Sequence, residues 1–149
     1  MIEPMTIRDT AVGGVKMVHL RHAHDAVRGD LAVIEFAEAL PFTPRRCFWT
    51  YTIPGRRVRG EHAHRQCSQF LVSAHGACRL RLDDGQSQTE ISLDRPEIGV
   101  LIPPLVWATL LLDALVRYAQ IVLAHRLVGA SVARWFARWT VFAAPLVLP

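Results

Sequence analysis

Two histidines one residue apart, His62 and His64, sit inside the run Arg59-Gly60-Glu61-His62-Ala63-His64-Arg65-Gln66-Cys67-Ser68-Gln69. On a β-strand alternate residues share a face, so a strand here projects the two imidazoles side by side. Imidazoles titrate near neutral pH, which suits moving protons to and from a carbon acid. They also suit metal ligation, although a tight site needs more than two ligands. A third alternative is a pair exposed on an edge strand, with no chemistry at all.

Other residues could join the pair. Gln69, on the same strand or the next bend, offers an amide to a hydroxyl or to a histidine. Arg59 precedes the pair and suits either a diphosphate oxygen or a structural ion pair with Asp83 or Asp84. Tyr51, on the preceding strand, offers a phenol, although a one-residue change of register would put Thr50 in its place. Arg79 and Arg81 alternate on one strand, either toward a diphosphate or as a solvated face. Trp107, after Pro103-Pro104, suits packing at a barrel mouth, where it could stack on a base or a sugar. A second His-x-His, His22-Ala23-His24, lies in a loop-like polar setting and is expected on the surface. Cys67 is expected to be buried rather than nucleophilic.

The elements that must position these side chains are short. Strands are expected over Val15–Leu20, Leu31–Phe36 and Arg46–Ile53, with a turn or short helix up to Leu40 and a turn at Pro54-Gly55. The run His62–Val72 passes from a charged half to an apolar half. Cys78–Leu82 and Thr89–Leu93 alternate around Asp83-Asp84-Gly85, a tight-hairpin signal. Val100–Ile102 starts another strand, stopped by Pro103-Pro104. Short strands with turn signals between them predict an all-β sandwich or barrel. From Ala108 to Trp139 the composition fits helix or strand equally.

Composition narrows the class. With 51% hydrophobic and 20% charged residues in 149, the chain can bury a core, and intrinsic disorder is excluded. Net charge is +4, and Lys16 is the single lysine among 17 basic residues, an excess too small to argue for nucleic acid. Three cysteines, an odd count without a Cys-x-x-Cys, argue against a disulfide framework and for a reducing cytoplasm. The start, MIEPMTIRD, lacks the layout of a signal peptide. The most apolar stretch, Val100–Leu112, contains two prolines and is followed by Asp113 and Arg117, so no membrane-spanning helix is expected.

Taken together, Val15–Thr109 resembles the small cupin sugar isomerases, the dTDP-4-dehydro-6-deoxy-glucose 3,4-ketoisomerases. The resemblance is carried in order by RGDLAVIEF (Arg28–Phe36), LPF (Leu40–Phe42), RGEHAHRQCSQFLV (Arg59–Val72), HGACRLRLDDG (His75–Gly85), LDRPEIGVLIPPLVW (Leu93–Trp107) and VLAH (Val122–His125). It implies a jelly-roll cupin, a homodimer, and a metal- and cofactor-free isomerase in deoxy-amino-sugar biosynthesis. Its substrate would be a dTDP-linked 6-deoxy-4-keto-hexose, and the keto group would move between C4 and C3 through an enediol. The resemblance carries the catalytic role onto His62 and His64, with His62 expected as base and His64 as its partner acid or orienter. Tyr51 joins them as a catalytic candidate, and Arg59, Gln69, Arg79, Arg81 and Trp107 as substrate-binding ones. Metal-binding cupins follow His-x-His with a Glu and a later His. Here Gln69 stands at the Glu position, and Pro96–Trp107 holds no histidine. The isomerase domain is expected over 1–125. Beyond it, 126–149 lacks the family's acidic, Tyr-rich ending and forms an atypical tail whose composition suits a helix. Two related functions remain as alternatives, a non-catalytic nucleotide-sugar-binding cupin and a cupin 3,5-epimerase.

Overall fold

The computed structural model describes residues 2–52, 58–112 and 119–124. The Pro54-Gly55 turn, His125 and the expected tail over 126–149 lie outside the described residues. The N-terminal part contributes β1 (Ile2–Glu3), β2 (Thr6–Asp9), β3 (Lys16–His19), β4 (Arg21–Ala23), β5 (Leu31–Val33) and a one-turn helix α1 (Phe36–Ala39). Then follow β6 (Arg46–Tyr51), β7 (Val58–Ala63), β8 (Gln69–His75), β9 (Cys78–Asp83), β10 (Gln88–Leu93), β11 (Ile98–Ile102), β12 (Trp107–Leu112) and β13 (Ala119–Ala124).

These strands pair antiparallel into a four-stranded sheet, β10-β9-β12-β7, a six-stranded sheet, β2-β3-β11-β8-β13-β6, and a small sheet, β1-β4-β5. The two larger sheets face each other as the expected all-β cupin jelly roll. Alternation explains how they meet, because every second side chain of a strand points to the same face. Leu80 and Leu82 of β9, Ile91 and Leu93 of β10, Leu71 of β8, and Val100 and Ile102 of β11 form one buried cluster between the sheets. Ala108 and Leu110 of β12 pack against the same cluster. The intervening residues Phe70 and Val72 of β8, Val18 and Leu101 point the other way, into a second cluster with Ala39 and Leu40 at α1. Phe70 needs Gly99 beneath it, since a Cβ there would lie 2.2 Å from its ring.

One sequence expectation changes and one open alternative is decided. The run His62–Val72 is two strands in different sheets, broken between Ala63 and Gln69. The stretch after Ala108 forms strand wherever it is described, as β12 and β13. The expected Asp83-Asp84-Gly85 hairpin joins β9 to β10. There Asp84 accepts backbone N–H bonds from Gln86 and Ser87, and from Gly13 across the molecule at 2.9 Å. These bonds hold the Asp84 carboxyl below the usual carboxylate range.

Candidate active site

The histidine pair stands where β7 leaves the four-stranded sheet. His62 lies directly opposite Ala108 of β12, which in turn lies opposite Leu82 of β9. Opposed residues of antiparallel strands share a face, so His62 faces the interior between the sheets. One residue past the end of β7, His64 turns back to it. Their Nε2 atoms are 3.1 Å apart, and the rings meet edge to face with centroids 4.7 Å apart. Both are half-buried. The pair stands at the end of an edge strand but faces inward and is partly removed from solvent.

Hydrogen bonding fixes where the protons sit. His62 Nδ1 is 2.6 Å from the Gly60 carbonyl oxygen. A carbonyl can only accept, so His62 Nδ1 carries hydrogen. In the neutral ring, Nε2 is then a lone pair, and His64 Nε2–H donates to it. His64 Nδ1 has no hydrogen-bond partner among the described residues and keeps its lone pair free. Burial, and secondly the neighbouring His62, pull the His64 pKa below the ordinary imidazole value. The uncharged form of His64 is therefore favoured relative to an ordinary imidazole.

The register of β7 explains what accompanies the pair. Ala108 opposes His62, but Thr109 opposes Gly60, so Glu61 is an extra residue in a β-bulge. Beyond the bulge Arg59 opposes Leu110, on the interior side. Without the extra residue, Arg59 and His62, an odd number of positions apart, would face opposite ways. Arg59 makes no ion pair with Asp83 or Asp84, whose carboxylates are taken by Gly85 and Gln88 and by Gly13, Gln86 and Ser87. Gln69 opposes Ile102 of β11 and shares the interior face of the six-stranded sheet. The five-residue link from His64 and the Pro103–Leu105 turn both lead to that same end of the barrel.

Four of the expected site residues are not brought to the pair. Tyr51 is 61% exposed. Through β13 it is in register with the outer side of the sheet, whereas Thr50 aligns with Ser73 on the inner side. The register alternative, Thr50, occupies the inward position. Arg79 and Arg81 alternate with the buried Cys78, Leu80 and Leu82 and point outward, where both bond Glu90 at 3.1 and 3.4 Å. Trp107, the first residue of β12, has the outward parity of that same face, and its indole N–H donates to Thr109 Oγ1 at 3.0 Å.

The same register reveals inward positions the sequence reading passed over. Arg46 and Phe48 of β6 share the parity of Thr50 and align, through β13, with Gln69 and Leu71. The available signal was the alternation of β6 itself, once one inward residue was known.

Among the described residues no three His, Cys, Asp or Glu side chains gather as ligands of an ion would. His22, of the second His-x-His, sits near Glu3 at 3.7 Å, and His24 bonds Asp30. Cys67 is buried, as expected, and Cys47 is exposed.

Comparison with known proteins adds a second line. A family model described as FdtA: WxcM-like, C-terminal, matches residues 13–125. A TDP-4-oxo-6-deoxy-alpha-D-glucose-3,4-oxoisomerase from Aneurinibacillus thermoaerophilus is 38% identical over 92 residues, 62% of this chain and 66% of that protein. The match thus spans just under two thirds of that relative's length. The WlaRB TDP-quinovose 3,4-ketoisomerase of Campylobacter jejuni superposes with a TM-score of 0.74 at 28% identity, covering 85% of this chain and 99% of that one. A QdtA 3,4-ketoisomerase from Thermoanaerobacterium thermosaccharolyticum, a double mutant in complex with TDP, gives 0.73 at 27% identity, over 79% and 84% of the two chains.

Proposed function

The chain belongs to the FdtA family, WxcM-like, C-terminal, and on that premise we propose that it is a sugar 3,4-ketoisomerase acting on a dTDP-linked 4-keto-6-deoxyhexose. The observation that carries the reading is the interior pair of imidazoles with one nitrogen left free. His64 Nδ1 takes the proton from C3 as the C3–H bond breaks. Its electron pair forms a C3=C4 bond, and the C4 carbonyl becomes the enediolate oxygen. A proton then returns to C4, the O3 proton passes to O4, and C3 becomes the carbonyl while C4 carries the hydroxyl. Hydrogen has moved within the sugar, so no outside electron acceptor is consumed.

A proton arriving at His64 Nδ1 displaces the Nε2 proton toward His62 Nε2. The pair shares the charge, and the Gly60 carbonyl stabilises it through His62 Nδ1–H. This order, His64 as base and His62 as its partner, is the reverse of the sequence-based expectation. Arg59, on the same interior side, is suited to the enediolate or to a diphosphate oxygen. Gln69 is suited to a sugar hydroxyl.

The reading extends to a homodimer in a reducing cytoplasm, serving deoxy-amino-sugar or polysaccharide synthesis. Support for the dimer comes from β6, an edge strand of the six-stranded sheet on which Trp49 is 59% exposed beside Tyr51. Exposed aromatic edges are sites of association. Three free cysteines suit a reducing setting. Among the described residues no helix is long and apolar enough to cross a membrane.

The test is incubation of the full chain with dTDP-4-keto-6-deoxyglucose in heavy water, followed by NMR. We expect a 3-keto product bearing deuterium at C4. Neither product nor exchange at C3 would remove the isomerase reading. Nucleotide-sugar binding without turnover would favour a non-catalytic cupin, and deuterium at C5 an epimerase. Sedimentation of Trp49→Arg beside the wild type tests the dimer, with a shift to monomer expected.

A further inference from the structure

The described residues with positive φ that are not glycine are Thr52, Glu61 and Leu105, and two of the three hold the histidine pair. Glu61, at φ 54, is the extra residue of the β7 bulge, between Gly60 at φ 87 and His62. Leu105, at φ 69 and 70% exposed, donates its backbone N–H to the His64 carbonyl oxygen at 2.7 Å. Side chains other than glycine rarely adopt such angles, and they persist only where the surroundings impose them. Neither Glu61 nor Leu105 gains burial from its conformation, since both are exposed. What each gains is a fixed backbone group beside one histidine.

We propose that the Gly60–Glu61 bulge and the Leu105 turn are positioning elements that lock the pair into a single proton arrangement, His62 Nδ1–H with His64 Nε2–H. The bulge performs two tasks with one inserted residue. It reverses the parity of the strand, so Arg59 and His62 come to one face. It also turns the Gly60 carbonyl onto His62 Nδ1, so His62 cannot adopt the Nε2–H form without losing that bond. The Leu105 N–H then holds the His64 carbonyl just beyond the end of β7. As a result the free lone pair is always His64 Nδ1. Glycine is required at position 60 because a Cβ there would lie 2.6 Å from the Ala108 carbonyl oxygen, a backbone atom that cannot swing aside.

This inference deepens the ketoisomerase reading and rests on it for its catalytic meaning. Its structural content can be tested without substrate, so the two can fail separately. Long-range 1H–15N correlation spectra of the 15N-histidine-labelled full chain, at about pH 8.5 where ordinary imidazoles are neutral, report each tautomer directly. We expect His62 as Nδ1–H and His64 as Nε2–H. A His62 ring in the Nε2–H form overturns the proposal even if the isomerase assay succeeds. Gly60→Ala is expected to lose the His62 Nδ1–H signature and about 10²-fold in kcat, with little change in KM. A folded Gly60→Ala chain that keeps both signature and kcat overturns it too. Should that variant not fold, Glu61→Gly takes its place. Glycine tolerates the positive φ, so the signature is expected to persist, and its loss counts against the bulge as the locking element.

Discussion

One sheet, β10-β9-β12-β7, carries two chemically opposite faces. Inside, His62 and His64 hydrogen-bond each other, and Arg59 has no carboxylate partner among the described residues. Outside, Arg79 and Arg81 are both tied to Glu90, and Trp107 to Thr109. The residue types on the two faces overlap, so composition does not separate them. Pairing and burial do. The half-buried histidine base and the exposed Arg59 beside it have no charged complement among the described residues and are available to a substrate, whereas a cation neutralised in water is occupied and weakly held.

The sharpest way to break this contrast is to remove the free nitrogen. His64→Asn keeps a polar side chain but has no titratable base. Turnover is expected to fall by about 10²–10⁴-fold, the usual contribution of a positioned acid–base group. Nucleotide-sugar affinity, measured by calorimetry, should change little. Full activity in this variant would move the base elsewhere. His62→Asn should cost less than His64→Asn, because His62 acts through its partner.

Arg59→Ala comes next. If the bulge brings this guanidinium to an anionic part of the substrate, its loss removes a charge-assisted hydrogen bond of about 1.5–3 kcal/mol. KM should then rise about 10- to 100-fold. An unchanged KM would leave the inward parity of Arg59 without a use.

Acidity offers a finer probe. Burial and His62 lower the His64 pKa, so the neutral base survives to lower pH than an ordinary imidazole. The acid limb of kcat/KM should have its midpoint below about 6.5. In His62→Asn it should move upward, since one of the two lowering influences is gone. Stability follows the same sign. The unfolded chain binds the proton more readily than the folded one, so this contribution is complete above about pH 6.5 and is lost as pH falls through and below that value.

How much of this was legible in the sequence depends on whether a feature is local. The His62–His64 proximity was, because a strand's two-residue period needs no partner. The outward aim of Arg79 and Arg81 was only half legible: Cys78, Leu80 and Leu82 mark the buried parity between them, but the sequence reading still carried both as substrate-binding candidates. The jelly roll was legible from strand spacing and from the ordered motifs together. The inward aim of Arg59 was not, because a bulge resets parity and appears only against the opposite strand. Nor was the choice between Tyr51 and Thr50. The β6 run RCFWTY has no clear alternation, and its parity comes from pairing with β13. Strands β1 and β2 escaped notice because they are short and wholly exposed, with no apolar face to betray them.

The smallest effect is expected on the outer face, and it tests the contrast from the other side. Arg81 donates to Glu90 at 3.4 Å, with more than half of its side chain exposed, and Arg79 donates to the same carboxylate at 3.1 Å. Exposed pairs of this kind contribute about 0.2–1 kcal/mol, and the remaining arginine still neutralises Glu90 when the other is removed. Arg81→Ala should therefore lower unfolding stability by less than about 1 kcal/mol in urea titration and leave KM within about twofold of wild type. A tenfold rise in KM would mean that the diphosphate, or a partner subunit that completes the site, reaches around to this face, and then the division of the sheet into an occupied and an available side would be wrong.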